Sequence, residues 1–343
     1  MQHEIKEKHP LLDERGVLTE PGFARDLMLT YDRSAVKAHP LRIKEWDYYY
    51  AGNKSFGVAL TVADNSYMGL DSISLLDFEE GWEITRSPMQ VMTKGKKRLP
   101  STSRRGDIES SGKGYRLSFE NKGEVRCLSF EMERFKGPKS IRGELELFCP
   151  EQESMVIATP FPGDEKAFYY NQKINCMAVR GSVFFDGKEY RFTPENSSAV
   201  LDWGRGVWTY KNTWYWGSAS GWLKGVPFGF NIGYGFGDTS AATENMLFYN
   251  GKAHKLEAVH FGIPQKDGKD DFMSPWRFTS SDGRFEMDFQ PVLHRSSDVN
   301  VLLIRSDQHQ VFGLFRGKAM LDDGTTLEIR DFPGFAEKVY NKW

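Results

Sequence analysis

The sequence predicts an all-β protein, a duplicated antiparallel β-barrel behind a short N-terminal arm, and three observations carry that expectation. Apolar residues alternate at period two from Arg42 onwards, which turns one face of an extended chain towards a core. Aromatic residues make up 14% of the 343 residues and there are 33 glycines, a composition of strands and tight turns rather than of helical bundles. Segments of the first half also have counterparts in the second, the mark of an internal duplication.

Residues 1–40 read as the arm, punctuated by His9-Pro10 and Glu20-Pro21-Gly22, with one short helix predicted over 23–30 that turns Phe23, Leu27 and Leu29 inwards. The first barrel is expected over 41–199. Its clearest strand, 56–63, puts Phe56, Val58, Leu60 and Val62 on one face and only small residues on the other. The same asymmetry returns at 228–235, and both strands run into an Asp-x-Ser, Asp64-Asn65-Ser66 and Asp238-Thr239-Ser240. A second equivalence relates 180–187 to 316–324, each followed by another strand at 190–192 or 327–329. Asp-Gly between alternating runs signals a tight hairpin with positive φ, and Asn250-Gly251 and Asp282-Gly283 give the same signal. The join falls near 195–200, so the second barrel is expected over 200–343. Short turns between consecutive strands favour a meander that closes on itself and removes exposed edges. The small faces, Gly57/Ala59/Thr61/Ala63 and Gly229/Asn231/Gly233/Gly235, then either line a ligand lumen or let an indole lie flat over the backbone. Residues 93–114 lose their apolar side chains and gain Lys94, Lys96, Lys97, Arg98, Arg104 and Arg105, which reads as a lid or as a mobile, solvated loop.

A formal net charge of −2 and interspersed charges argue against a nucleic-acid-binding face or an anionic-membrane surface. No window approaches the length needed to span a bilayer, and no apolar run follows Met1, so a soluble, cytoplasmic protein is expected. Cys127, Cys149 and Cys176 are odd in number and far apart, which fits buried reduced thiols. No nucleotide loop or nucleophile elbow is present, and His254 and His260 lack a third ligand, so no cofactor and no metal are expected. The expected partner is a small, hydrophobic molecule.

The chemistry concentrates in one stretch. Five of the nine tryptophans, Trp203, Trp208, Trp214, Trp216 and Trp222, lie between 201 and 222, together with Asp202 and Arg205. A carboxylate among indoles must be paired, hydrogen-bonded or protonated. Asp202 is therefore either half of a local ion pair with Arg205 or a tuned acid in a pocket. The candidate catalytic residues are Asp202, Arg205, Asp238 and Glu244, and the candidate ligand-binding residues are Trp203, Trp208, Trp214, Trp216, Asn231 and Asn245. A neutral carboxylic acid beside indole faces could protonate an alkene and steady the developing cation, as a hydratase, cyclase or isomerase requires. The same cavity without chemistry would make a carrier. A sugar-active protein would use Asp202 with Asp238 or Glu244 as acid and base. Each residue also has a plain structural role open to it: Asp238 in ordering a turn, Glu244 and Asn245 in satisfying strand-end amides, and the indoles in a core.

The motifs Lys44-Glu45-Trp46-Asp47-Tyr48-Tyr49, Leu201-Asp202-Trp203-Gly204-Arg205-Gly206, Asn231-Ile232-Gly233, Gly235-Phe236-Gly237-Asp238 and Glu244-Asn245 resemble those of an uncharacterised bacterial domain-of-unknown-function family, over nearly the whole chain. That family is in turn distantly similar to the carotenoid 1,2-hydratase and lipocalin-type cyclase group, which implies two tandem lipocalin-like barrels. In the hydratases an aspartate of a Trp-x-Asp-x-x-Trp-Gly motif is the proposed proton donor, and the resemblance places Asp202 there. The sequence departs from that pattern in having Val200 for the first tryptophan, a shorter spacing to Trp203-Gly204 and no counterpart of the active-site histidine.

Overall fold

Alternating β-branched and aromatic residues separated by glycine turns give strands almost throughout. A computed structural model describes residues 2–301 and 304–342; among them are two large antiparallel sheets, two short 3₁₀ turns and no α-helix. The expected helix over 23–30 is absent. Gly22–Ala24 instead pairs with Met155–Phe161, and Leu29–Thr30 with His9–Pro10, so the arm is stitched on as strands and Phe23 and Leu29 reach the core as strand residues. No helix among the described residues is long and apolar enough to cross a membrane.

In the fourteen-stranded sheet, Ile43–Gly52 lies between Phe56–Asp64 and Ser198–Val207. One side continues through Met68–Asp77 and Trp82–Arg86. The other continues through Asp164–Phe185, Lys139–Phe148, Val125–Lys136, Tyr115–Asn121 and Ile108–Gly112. The nine-stranded sheet repeats this order. Lys211–Leu223 lies between Val226–Tyr234 and Thr326–Lys342, and beyond the latter come Ile304–Met320, Phe285–Val301, Trp276–Ser280 and Val259–Gly262. One of the two sheets is curled into a half-barrel. The change from one sheet to the other falls between Val207 and Lys211, so 198–207 is hydrogen-bonded in the first.

Both sequence equivalences fall at matching places. Phe56–Asp64 and Val226–Tyr234 are each the third strand from one edge along the order of their sheet, and Asp64 and Asp238 each accept from the backbone N–H two residues on, at 2.9 Å. Gly181 and Gly317 each face a neighbouring strand so closely that a Cβ would lie 2.1 Å from the carbonyl of Glu144 or Glu286. Their φ values of 140° and 155° are left to glycine. The hairpin turns Asp186-Gly187 and Asn250-Gly251 have positive φ at both residues, as a type I′ turn demands.

The sheets pack face to face. Tyr48, Tyr50 and Lys173 of the first meet Trp216, Phe312 and Phe335 of the second. A bulge at Asn175 and Cys176, where φ is 61°, bolts them together: the Asn175 amide donates to Ser218 Oγ at 2.8 Å and the Cys176 N–H to Ser220 Oγ at 3.0 Å.

Candidate functional site

On an extended strand successive side chains point to opposite faces, and in Ser198–Val207 this separates the two charges that sequence proximity suggested as partners. Asp202 points towards the second sheet. Its carboxylate lies 2.8 Å from Lys173 Nζ and accepts from Asn171 Nδ2 at 2.6 Å, both from the adjacent strand. Arg205 points the other way, into the interior of the first sheet, fully buried over the ring of Trp203. There it bonds Asp47 at 2.9 Å and the carbonyls of Trp46, Gly204 and Pro100. The local Asp202–Arg205 pair is therefore replaced by two separate buried pairs, and Trp203 and Arg205 lie away from Asp202.

The interior of the first sheet is occupied by the chain itself. The basic loop expected to be a lid or a mobile, solvated segment is fixed inwards: Lys97 pairs with buried Asp71 at 2.8 Å, Thr93 donates to Asp64, Ser103 bonds Gln172, and the carbonyls of Pro100 and Ser103 receive Arg205 and Arg126. Nor do the small residues open a lumen. The ring of Tyr50 lies against Gly52 and Gly57, and that of Trp46 lies so close over Gly204 that a Cβ there would be 2.0 Å from it. Of the glycines on the two small faces only Gly57 is covered by a ring, that of Tyr50, whereas Gly229 meets the Ala219 carbonyl and Cys176 Sγ, Gly233 the Glu244 carboxyl and Gly235 the Thr213 carbonyl.

Between the sheets a polar network crosses an aromatic wall. Lys173 Nζ sits 3.9 Å from the centre of the Trp216 ring. Trp216 Nε1 donates to Asn231 Oδ1 at 2.7 Å, and Asn231 Nδ2 donates to the Glu244 carbonyl at 2.8 Å and reaches its carboxylate at 3.4 Å. Trp214 Nε1 and Gln310 Nε2 each donate to Glu337 at 3.0 Å, one to either oxygen. Trp208 closes one side against Trp46, Tyr169 and Trp214, with Phe236 stacked on Tyr169 at 4.6 Å.

Two carboxyls in this network sit near neutrality. Burial pushes Glu244 up to about 7, opposed by Lys173 and the Asn231 hydrogen bond and reinforced by the charge of Asp202. Burial likewise pushes Glu337 up to about 7, against the Trp214 hydrogen bond and the fields of Lys173 and Arg295. Tyr169, buried and facing Glu244, Asp202 and Glu337, is held well above the usual phenol range. Glu244 Oε1, Tyr169 Oη, Asn171 Oδ1 and Gln310 Oε1 are buried without a protein hydrogen-bond partner. Such atoms are few in folded proteins and carry a desolvation cost that a ligand's polar group would lift. Beside the network, a crevice between Tyr50, Val200, Ser218 and Phe335 holds about 10 Å³, room for one water at most.

The remaining expectations divide. Asp238 is exposed; the Ser240 backbone and hydroxyl hold its carboxyl below the usual range, which makes it a turn residue outside the network. Asn245 accepts from Gly233 N–H and donates to the Glu257 carbonyl, fixing the loop that carries Glu244. The three cysteines are unpaired and half-buried rather than buried.

A family model described as "Domain of unknown function (DUF2804)" matches residues 2–343. The chain belongs to the DUF2804 family. No curated protein matches it by sequence. Among solved structures, an AttH-like protein of Nitrosomonas europaea is similar to this DUF2804 chain at a TM-score of 0.55 and 12% identity, over 89% of this chain and 94% of the other. CghA in complex with Sch210972 gives 0.47 and 12% identity over 97% of each chain. Kievitone hydratase from Nectria haematococca gives 0.46 and 12% over 88% of each. The likeness to the AttH-like protein is one of fold.

Of the ten residues singled out in the sequence, the DUF2804 fold brings Asp202, Trp208, Trp214, Trp216, Asn231 and Glu244 to the intersheet network. Lys173, Asn171, Tyr169, Gln310 and Glu337 belong to it and were missed. Glu337 did carry a signal: with Phe335 and Val339 it lies on one face of its strand, a lone acid in an apolar stripe.

Proposed function

We propose that this protein takes a small hydrophobic molecule between two lipocalin-like barrels, one over residues 41–207 and one from 211 onwards, and acts on it by acid catalysis of the hydratase, cyclase or isomerase kind. The observation that carries the reading is the pair of buried carboxyls, Glu244 and Glu337, raised to about 7 among Trp208, Trp214 and Trp216. A carboxylic acid with a pKa near 7 can hold a proton and give it up at the same pH, the condition for efficient general acid catalysis. Glu337 is assigned as the donor, because it is the less buried residue of the two and its two oxygens are aimed by Trp214 and Gln310. Once it has given up its proton, those two donors stabilise the carboxylate. Indole faces beside it would steady a carbocation by about 0.5–2 kcal/mol each. Asp202, engaged by Lys173 and Asn171, positions Lys173 and sets the field around both glutamates, a role different from the donor role the motif resemblance gave it.

The crevice beside the network takes no more than one water, so the sheets must part to admit the molecule. A carrier that holds it without chemistry is the second reading. Solvent extraction of the purified protein followed by mass spectrometry identifies the bound compound, and incubation of that compound in D₂O reads the chemistry. Acid catalysis gives deuterium on carbon with the wild type and a loss of about 10²-fold or more in Glu337→Gln. An extracted hydrophobe that never exchanges assigns a carrier. A polar extract, or undiminished exchange in Glu337→Gln, overturns the assignment.

A further inference from the structure

The strand Met89–Val91, which pairs with Met68–Leu70 and leads into the loop that plugs the first sheet, has an outer side that the proposed chemistry leaves unused. Val91 is 84% exposed and Met89 65%, the two most exposed large apolar side chains among the described residues, and Met92 is 39% exposed; all three lie within four residues. Single exposed apolar residues need no explanation, but a contiguous group at one tip does. Around it stand Arg86, Lys94, Lys96 and Arg98, all exposed, and residues 84–106 contain no carboxylate.

The tip is held rigid from beneath. The N–H groups of Met92 and Lys94 donate to the carbonyls of Tyr67 and Ser66, Thr93 donates to Asp64, and Lys97 turns inwards to Asp71 through the space left by Gly69. Met92, Lys94 and Arg98 are held at φ of 57°, 48° and 51°, a left-handed conformation that non-glycine residues adopt at a cost. The fold thus spends backbone strain to present three apolar side chains outwards inside a ring of cations.

The near-zero net charge that argued against a membrane surface is a whole-chain quantity and hides this local patch. We propose that residues 86–98 dock this protein on an anionic phospholipid surface, the apolar tip entering the headgroup layer and the four cations meeting lipid phosphates and carboxylates. Two other occupants fit less well. A second copy of the chain would bring four cations against four, which opposes association. A nucleic acid would satisfy the cations but give Met89 and Val91 nothing apolar to bury against. An apolar group with basic neighbours is the pattern that binds membrane interfaces, each Lys or Arg contributing about five-fold in affinity near an anionic leaflet. The inference stands apart from the acid chemistry, and its test needs no ligand.

Co-sedimentation with vesicles of phosphatidylcholine alone, and of phosphatidylcholine with about 30% phosphatidylserine, tests it. Wild-type protein is expected on the anionic vesicles only, released as NaCl rises to about 0.5 M. Met89→Ser/Val91→Ser is expected to weaken binding at least ten-fold, and Lys94→Gln/Lys96→Gln roughly 25-fold. Unchanged far-ultraviolet circular dichroism shows that both double variants fold, as substitutions of exposed side chains should. No binding to the anionic vesicles overturns the proposal. So does binding that survives both double variants, or a loss of self-association in Met89→Ser/Val91→Ser with vesicle binding unaltered.

Discussion

Replacing Glu244 by glutamine should make the protein more stable at pH 8 and leave it nearly unchanged at pH 5. Burial raises this carboxyl from 4.5 to about 7 in the folded protein, so between those values the native state holds a proton that the unfolded chain has lost. Stability then falls as pH rises, by about 1.4 kcal/mol per pH unit per group, and the loss is complete above the folded pKa. Below pH 4.5 both states are protonated and the group costs nothing. From 4.5 to about 7 the accumulated loss is about 3 kcal/mol, a large part of the 5–15 kcal/mol typical of a domain. Glutamine keeps the shape and the Asn231 contact without the charge. Urea denaturation of wild type and Glu244→Gln at pH 5 and pH 8 measures the difference directly. A gain of about 2–4 kcal/mol at pH 8 only is the expected result. Equal effects at both pH values would refute the claim that this carboxyl is raised by burial, and with it half of the case for an acid site.

Three further perturbations test other parts of the account. Lys173→Met leaves Asp202 buried without its cation and should cost about 3–5 kcal/mol, whereas Lys173→Met/Asp202→Leu should recover most of that loss; thermal unfolding of both reads it. Gly181→Ala and Gly317→Ala each drive a Cβ to 2.1 Å from a facing carbonyl, so each should cost more than about 2 kcal/mol by denaturant titration, and the similarity of the two losses tests their equivalence. Gly233→Ala places a Cβ 2.5 Å from Glu244 Oε1 and 2.7 Å from the Tyr215 carbonyl, which should displace the glutamate, destabilise by about 1–3 kcal/mol and flatten the pH dependence between 5 and 8.

What was legible in the sequence was local. Period-two alternation gave the strands, Asp-Gly and Asn-Gly gave the hairpins, and the likeness of 56–63 to 228–235 and of 180–187 to 316–324 gave the repeat, because each rests on residues close in the chain. The arm was misread because Phe23, Leu27 and Leu29 fall near helical spacing over a few residues, too short a window to separate a turn from two strand fragments. The basic loop was misread for a different reason. Lys97 looks like solvated charge until Asp71, twenty-six residues earlier and buried, is seen to be its partner, and Gly69 is seen to make room for it.

The site shows the same limit at higher stakes. Asp202 and Arg205 are three apart, a spacing that brings side chains together on a helix and sends them to opposite faces of a strand. Reading Ser198–Val207 as a strand therefore already forbids their pairing, and would have required two other partners of opposite charge. Finding them needs register: Lys173 stands directly across from Asp202, and Asp47 lies on the Ile43–Gly52 strand on the other side. Neither pairing can be read from spacing along the chain, because each bond closes a loop of about thirty residues or more. The consequence for function is specific. With Asp202 held by Lys173, the proton-donor role passes to an acid with less obvious credentials, and Glu337 qualifies because an apolar stripe, two aimed donors and the field of its neighbours hold its carboxyl near neutrality.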